Sequence, residues 1–378
     1  MRNYVRWSLL ATLCWWLILV PKHYYLFSII TQPVQKLVFG FNDTLFGELP
    51  YREDSSGMYL LILIAPVLGF LFGLIAFLPV VKRLTFRTDR TALVVMRYYL
   101  VLELWEYGWI KLTKMQFYLP EPNTVYTQLG ALSKDIAYWS VMGSSPSYVI
   151  FMGVMELIAG SLIVIKRTRF IGLLLALGIF INVVMVNFSF DISVKLFSIS
   201  LLFFTVVLLL QFPDQWRMLL QLPVKSKPLR LTQERPYYRW GRALVLSLFV
   251  VESVYPSIIT GSMNDDDLPR PDYHGAYSVA EHSNLTRVYV HRQDYVIFEN
   301  KQHDHLSLKI VSKTTGELNL IDEETKAQSK LSIRKTSHGF WALWQGDSHN
   351  DTLFLRPLPY RELPLVESSF HWFSDEYH

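Results

Sequence analysis

The sequence predicts an α-helical polytopic membrane bundle of about seven spans followed by a C-terminal antiparallel β domain. Three observations carry that prediction. Of 378 residues, 51% are hydrophobic and 18% charged, with a mean hydropathy of +0.23, whereas soluble domains carry about 25% charge. Two charge-free runs, Met58 to Val81 and Phe170 to Phe190, are each long enough to cross ~30 Å of hydrocarbon as a helix. Charge also divides along the chain: residues 1–262 hold 24 Lys+Arg against 14 Asp+Glu, and residues 263–378 hold 12 against 18. The basic pI near 8.9 is therefore a property of membrane loops and not a nucleic-acid signal.

The first apolar run, Trp7 to Val20 behind Arg2 and Arg6, has the outline of a signal peptide. Pro21-Lys22-His23-Tyr24-Tyr25 follows it without a small-x-small cleavage site, so it reads as an uncleaved anchor, kinked at Pro21 if it runs on toward Ile30. Spans are expected at 4–20, 58–81, 91–112, 147–165, 170–190, 194–212 and 243–259. The N-terminus and the loops 82–90, 166–169 and 213–242 hold 16 Lys+Arg; the alternate loops, with Lys195, hold 6. This bias predicts a cytoplasmic N-terminus and, after seven spans, a tail on the far side of the membrane. The domains follow: spans one and two in 1–90, a four-span core in 91–212, a basic cytoplasmic linker in 213–242, a seventh span in 243–260, and an extracytoplasmic β domain in 263–378.

The tail opens on an acidic linker, Asn264-Asp265-Asp266-Asp267, with Pro269 and Pro271 beyond it. Period-two alternation then marks strands around Arg287–His291, Leu306–Ile310, Lys330–Arg334 and Thr352–Leu355. Thr315-Gly316 and Gln345-Gly346-Asp347 supply turns. An antiparallel sandwich or partly open barrel of about 100 residues is expected.

Polar side chains inside a span cost free energy and each needs a reason. Glu103, Tyr107, Lys111 and Lys114 fall on one helical face of the third span, with Glu106 close to it. Glu156 is the single charge of the fourth span, flanked at −3 and +4 by Gly153 and Gly160, which would let another helix approach. Asn182, Asn187, Asp191 and Lys195 lie on the fifth span and the turn into the sixth. Topology alone gathers Glu106, Lys111, Glu156, Asn187, Asp191 and Lys195 into the middle and outer half of the bundle. Two readings stand for this set: acids and lysines neutralising one another to tighten the bundle, or a polar pocket for a ligand.

Other signals are weaker. Gly69-x-x-x-Gly73 is a packing motif. His303-Asp304-His305 would put adjacent side chains on opposite faces of a strand, so no metal site is expected. Cys14 is the only cysteine, and nine of ten histidines lie in the tail, which excludes disulfides within the chain, iron–sulfur clusters and paired-histidine haem in the bundle. No Gly-rich phosphate loop or GxSxG is present, no catalytic motif is found, and no cofactor is bound covalently.

From residue 97 to about 212 the chain resembles the DoxX-like family of four-span membrane proteins. The resemblance is carried by Tyr107-Gly108-Trp109-Ile110-Lys111-Leu112, Gln116-Phe117, Pro120, Trp139 with Met142-Gly143-Ser144-Ser145, Tyr148, Phe151-Met152-Gly153 with Glu156 and Gly160, Arg167-Thr168, and Asn182 through Asn187-Phe188 to Asp191 and Val194-Lys195-Leu196. The family's Lys, Glu, Asn, Asp and Lys positions fall on Lys111, Glu156, Asn187, Asp191 and Lys195. Phe370-His371-Trp372 with Glu376 resembles the terminal signature of long Bacteroidetes-type members, although a usual basic ending is missing. The family name implies a link to thiosulfate:quinone oxidoreduction and membrane redox complexes.

Three functions compete. The first is a non-catalytic anchor or assembly subunit that offers the β domain to protein partners of an envelope complex. The second is a quinone-binding subunit of a membrane oxidoreductase, with Glu156 and Lys111 at the headgroup. The third is a small-molecule transporter, although the spans show no internal repeat. Lipid bilayer and protein are the expected partners, and nucleic acid is not.

Overall fold

The computed structural model describes residues 2–19, 27–47, 50, 54–74, 88–223, 236–280, 284–346 and 349–367. The chain divides into two compact units: Met1–Thr113 with Ile150–Met263, and Lys114–Val149 with Asn264–His378.

The described helices of the first unit are α1 (Arg2–Leu19), α2 (Ser28–Phe46), α3 (Ser56–Gly73), α4 (Thr88–Leu112), α7 (Pro146–Val164), α8 (Arg169–Ser189), α9 (Lys195–Leu209), α10 (Pro213–Leu219) and α11 (Pro236–Thr260); α5 (Pro122–Tyr126) and α6 (Lys134–Gly143) precede α7 in the second unit. Local signals fix several ends. Ser55 caps α3 by accepting the Met58 N–H, and Pro213 sits at the first turn of α10, where no N–H is needed. Four segments are long and apolar enough to cross a membrane: Ser56–Gly73, Pro146–Val164, Arg169–Ser189 and Pro236–Asp267, which contains α11. The bent pair α9 and α10, at 87°, makes a fifth if it is one span.

The seven expected spans are thus helical wherever they are described, but length and apolarity qualify four or five of them. Trp7–Leu19 is shorter than a span, and α4 carries Arg97, Glu103, Glu106 and Lys111. One helix, α2, lies where a loop was expected. Its Gln, Lys, Asn and Asp residues hide it from a hydropathy scan.

The apolar centre of this unit is built from Leu100, Val101 and Leu104 of α4, Ala159 and Ile163 of α7, Leu173 and Ala176 of α8, and Leu201 and Phe204 of α9. The glycine pair of α3 packs as expected: a Cβ at Gly69 would overlap Thr12 of α1, and one at Gly73 would overlap Ser8.

In the second unit, β1 (Gly275–Ala280), β2 (Leu285–His291), β3 (Tyr295–Asn300), β4 (His305–Thr314), β5 (Glu317–Ile321), β6 (Gln328–Thr336), β7 (Gly339–Gly346) and β8 (His349–Leu358) pair in sequence order. The barrel closes because β1 also pairs antiparallel with β8, Ala276 opposite Leu358 through Ala280 opposite Phe354. Closure corrects the expected sandwich or open barrel, and it leaves no sheet edge exposed. The four strands foreseen from alternation are β2, β4, β6 and β8. Gly316 turns β4 into β5 with a φ of 84°, a conformation glycine adopts without strain.

Inward residues fill the barrel, with Phe298 and Trp344 stacked at 4.2 Å beside Val288, Leu320, Leu331 and Leu353. Each large side chain removed from water there contributes about 1.5–3 kcal/mol. The outer face of β1–β3 is covered too: Ala276, Tyr289 and Ile297 pack beneath Tyr126 of α5 and Tyr360. The connection 114–149, read from sequence as a loop between spans, is thus part of the same compact unit as the barrel. The Phe370–Glu376 signature, most of the loop 82–90 and residues 224–235 of the basic linker lie outside the described residues.

Candidate functional site

Backbone proximity builds the polar site of the first unit. Gly108 of α4 and Gly153 of α7 meet so closely that a Cβ on Gly153 would sit 2.7 Å from the Gly108 carbonyl oxygen and 3.1 Å from Lys111 Cβ. Gly160 makes the same accommodation for Trp105. This crossing brings Lys111 Nζ to 2.9 Å from both carboxylate oxygens of Glu156. The two side chains are 8% and 7% exposed. The ring of Tyr107 lies 5.2 Å from the same ammonium and packs against Phe197 of α9. A desolvated charge is tolerable only when paired, and here the pairing is bidentate.

The other candidates separate from this pair. Glu103 is fully buried and Glu106 half-buried on α4. Asn182 is exposed on α8, five positions from the inward-facing Asn187, and does not join the buried set. Asn187 is buried and directs its amide toward the Val194 carbonyl at 3.5 Å. Asp191 adopts a φ of 53° in the α8–α9 turn; its carboxylate, 83% exposed, holds Lys195 Nζ at 2.8 Å. Lys114 leaves the α4 face expected for it: the helix ends at Leu112, and Lys114, at φ 52°, belongs to the second unit.

Two acids of this unit escaped the sequence reading. Asp54 accepts the backbone N–H groups of Lys195 and Leu196 at 2.8 and 3.1 Å, closing the N-terminus of α9 from a distant segment. Glu252 is buried in α11, and its signal was available, since it is the lone acid of an apolar run, as Glu156 is. Tyr98 meets Phe249, and Trp109 donates to Ser257 at 2.9 Å, which sets Glu103 and Glu252 at one level between α4 and α11.

The second unit holds its own polar centre. Glu121 precedes Pro122 at the start of α5 and makes no cap; its carboxylate turns instead to His274 Nε2 at 2.9 Å and accepts the Arg292 N–H at 3.2 Å, with His291 3.9 Å away. Burial opposes its charge, but the His274 hydrogen bond and the nearby His291 and Arg292 hold the carboxyl below its ordinary value. Burial pushes His291 down, toward the neutral ring. The acidic residues expected to form a linker are folded as a 3₁₀ turn. Asp265 binds Arg292 at 2.7 Å, while Asp266 accepts the Leu119 N–H at 2.8 Å and the Lys114 ammonium at 2.9 Å. On the β2–β4 side, buried Glu299 receives Tyr289, Arg287 and His303, and these hydrogen bonds outweigh burial to lower its pKa.

Among the described residues, no group of three or more His, Cys, Asp or Glu is arranged to hold a metal; His303 binds Glu299, and Asp304 accepts from Asn300.

No family model matches the chain, and no solved structure matches it. Over 113 residues it is 30% identical to the uncharacterized protein YwoB of Bacillus subtilis (strain 168), a stretch covering 30% of this chain and 71% of that protein. On that likeness the chain belongs to the same family as YwoB.

Proposed function

We propose that the chain is a non-catalytic anchor and assembly subunit of an envelope complex: a DoxX-like, seven-span protein of the bacterial inner membrane, with its N-terminus in the cytoplasm and its barrel unit offered to protein partners in the periplasm. The observation that carries the reading is the closure of Lys111 on Glu156. Both carboxylate oxygens and the ammonium are engaged with each other at 2.9 Å in a nearly solvent-free crossing, which favours mutual neutralisation over a headgroup or substrate site. The quinone-binding and transporter readings both need those groups available to a ligand.

The crossing count draws support from the second unit. Residues 114–149 and 264–378 fall in one compact unit, which supports placing the loop before α7 and the barrel on one side of the membrane, with an even number of crossings between them. Three segments in that interval qualify alone; counting α9 with α10 as one span supplies the fourth.

Complementation of a deletion strain tests the function. The chain cut after residue 262 should reach the membrane and fail to complement, whereas Lys111→Met with Glu156→Leu, which removes the pair without orphaning a charge, should complement. A truncated bundle that restores growth overturns the anchor reading. Stoichiometric quinone in the organic extract of the purified protein, lost in Glu156→Gln, would replace it with the redox reading.

A further inference from the structure

We propose that α2 is neither an aqueous loop helix nor a span, but lies obliquely in the leaflet that holds the α8–α9 turn, with a stripe of apolar side chains against lipid acyl chains. The inference rests on the membrane-embedded reading of the first unit.

Depth comes from neighbouring helices. α1 and α3 run antiparallel, Thr12 against Gly69 and Ser8 against Gly73. Continuing that register, α1 ends at Leu19 about 9 Å short of the level of Ser56, at ~1.5 Å per residue. Asp54, just before α3, caps α9 at Lys195, so the heads of α3 and α9 share a level. Trp16 agrees with this, because it packs on Phe204, about 14 Å down α9 from Lys195. The last carbonyls of α1 therefore end inside hydrocarbon, where an unmade hydrogen bond is costly. Gln35 of α2, 9% exposed, donates to the Ile18 carbonyl at 2.9 Å and satisfies one of them.

α2 begins at the same depth. Phe27 meets Phe249, Phe249 meets Tyr98, and the adjacent Tyr99 meets Trp16. Its 19 residues are about 28 Å long, roughly twice the remaining distance to the level of Asp54. A helix of that length fits only by running aslant.

Its outward side joins a stripe of large apolar side chains to the polar Gln32, Lys36 and Thr44. Ile29, Leu37, Phe41 and Leu45 point outward at 77%, 75%, 63% and 58% exposure, while Gln35 and Asn42 are buried. Acyl chains are the occupant this pattern fits, and the stripe adds to the outward Leu63 and Val67 of α3, a helix apolar enough to cross a membrane. Lys36, beside the stripe, has a stem long enough to carry its ammonium toward headgroups.

The test uses the full chain with Cys14→Ser, reconstituted in phosphatidylcholine–phosphatidylglycerol vesicles. Leu37→Cys, Phe41→Cys, Leu45→Cys and, on α3, Val67→Cys each carry a nitrobenzoxadiazole label. The α2 labels should lose fluorescence to lipid nitroxides set shallow on the acyl chain more than to deep ones, and should stay as protected from aqueous iodide as the Val67 label. Iodide quenching of the α2 labels with Val67 protected overturns the inference alone. Depths that descend through the bilayer centre from one end of α2 to the other make it a full span and also overturn it. Iodide quenching at Val67 as well would remove the membrane-embedded reading with it.

Discussion

Lys111 and Glu156 are joined across the Gly108–Gly153 crossing, Nζ 2.9 Å from each carboxylate oxygen, with neither side chain more than 8% exposed. Breaking such a pair on one side strands a buried charge, at a cost of about 3–5 kcal/mol, whereas replacing both partners with apolar groups costs much less. Thermal unfolding in detergent should therefore rank Glu156→Gln and Lys111→Met well below Lys111→Met with Glu156→Leu. Equal losses in the singles and the double would mean that the two groups do not act as a pair.

The crossing itself makes a second prediction. Gly153→Ala places a methyl 2.7 Å from the Gly108 carbonyl and should cost about 1–3 kcal/mol, because the backbone atoms it meets cannot turn aside. Gly178, on α8, has nothing within 4 Å of its Cβ position, so Gly178→Ala should be neutral or stabilise by about 0.4–1 kcal/mol. Melting curves of the two variants should move in opposite directions, or the second not at all.

Glu156 was legible because one acid in an apolar run with glycines on its own face admits few explanations, and those glycines do make the close approach. Glu252 carried a similar signal but lacked a flanking motif to draw attention. Lys114 was misplaced because helical spacing was extended past the helix end, where a positive φ turns the chain away. β3 and β7 read as Tyr295-Val296-Ile297-Phe298 and Phe340-Trp341-Ala342-Leu343-Trp344, runs apolar at successive positions that alternation cannot detect; β3 is buried on both faces, whereas β7 leaves Trp341 exposed. Glu121 gave no sign in the sequence, since its partners lie more than 150 positions away.

Asp54 should behave as a cap supplied in trans. Asp54→Asn keeps an acceptor for the Lys195 and Leu196 N–H groups and should lose little, while Asp54→Ala should cost about 0.5–2 kcal/mol. Hydrogen exchange at the first turn of α9 checks this directly, with faster exchange expected in the alanine variant only.

Acid should loosen the second unit in two stages. His291 is held below its ordinary 6.5 by burial, so its contribution is complete above pH 6.5 and fades as pH falls toward its folded value. Glu121, also held low, keeps its contribution above about pH 4.5 and loses it only as pH drops through its still lower folded value. Exchange in β2, corrected for the intrinsic pH effect, should rise below pH 6.5 in the native chain and lose that first stage in His291→Gln. Glu121→Gln should exchange faster than native at neutral pH, with the difference vanishing in strong acid. No change in β2 between pH 7 and 5 would refute the assignment to His291.

The direction of α11 bears on the proposed number of crossings. Tyr98 meets Phe249 and Trp109 meets Ser257, so residue numbers rise together and α4 runs parallel to α11. Parallel spans have an odd number of crossings between them. On the proposed seven-span topology α7 and α8 supply two and α9 with its bent continuation α10 the third, in keeping with 114–149 and 264–378 falling in one compact unit. Single cysteines in a Cys14→Ser background test this with a membrane-impermeant maleimide on spheroplasts. Gly130→Cys and Met263→Cys should label in intact cells, and Lys166→Cys and Leu222→Cys only after permeabilisation. Leu222 is the deciding position: if it labels from outside together with Gly130, α9 does not cross, and the seven-span reading fails.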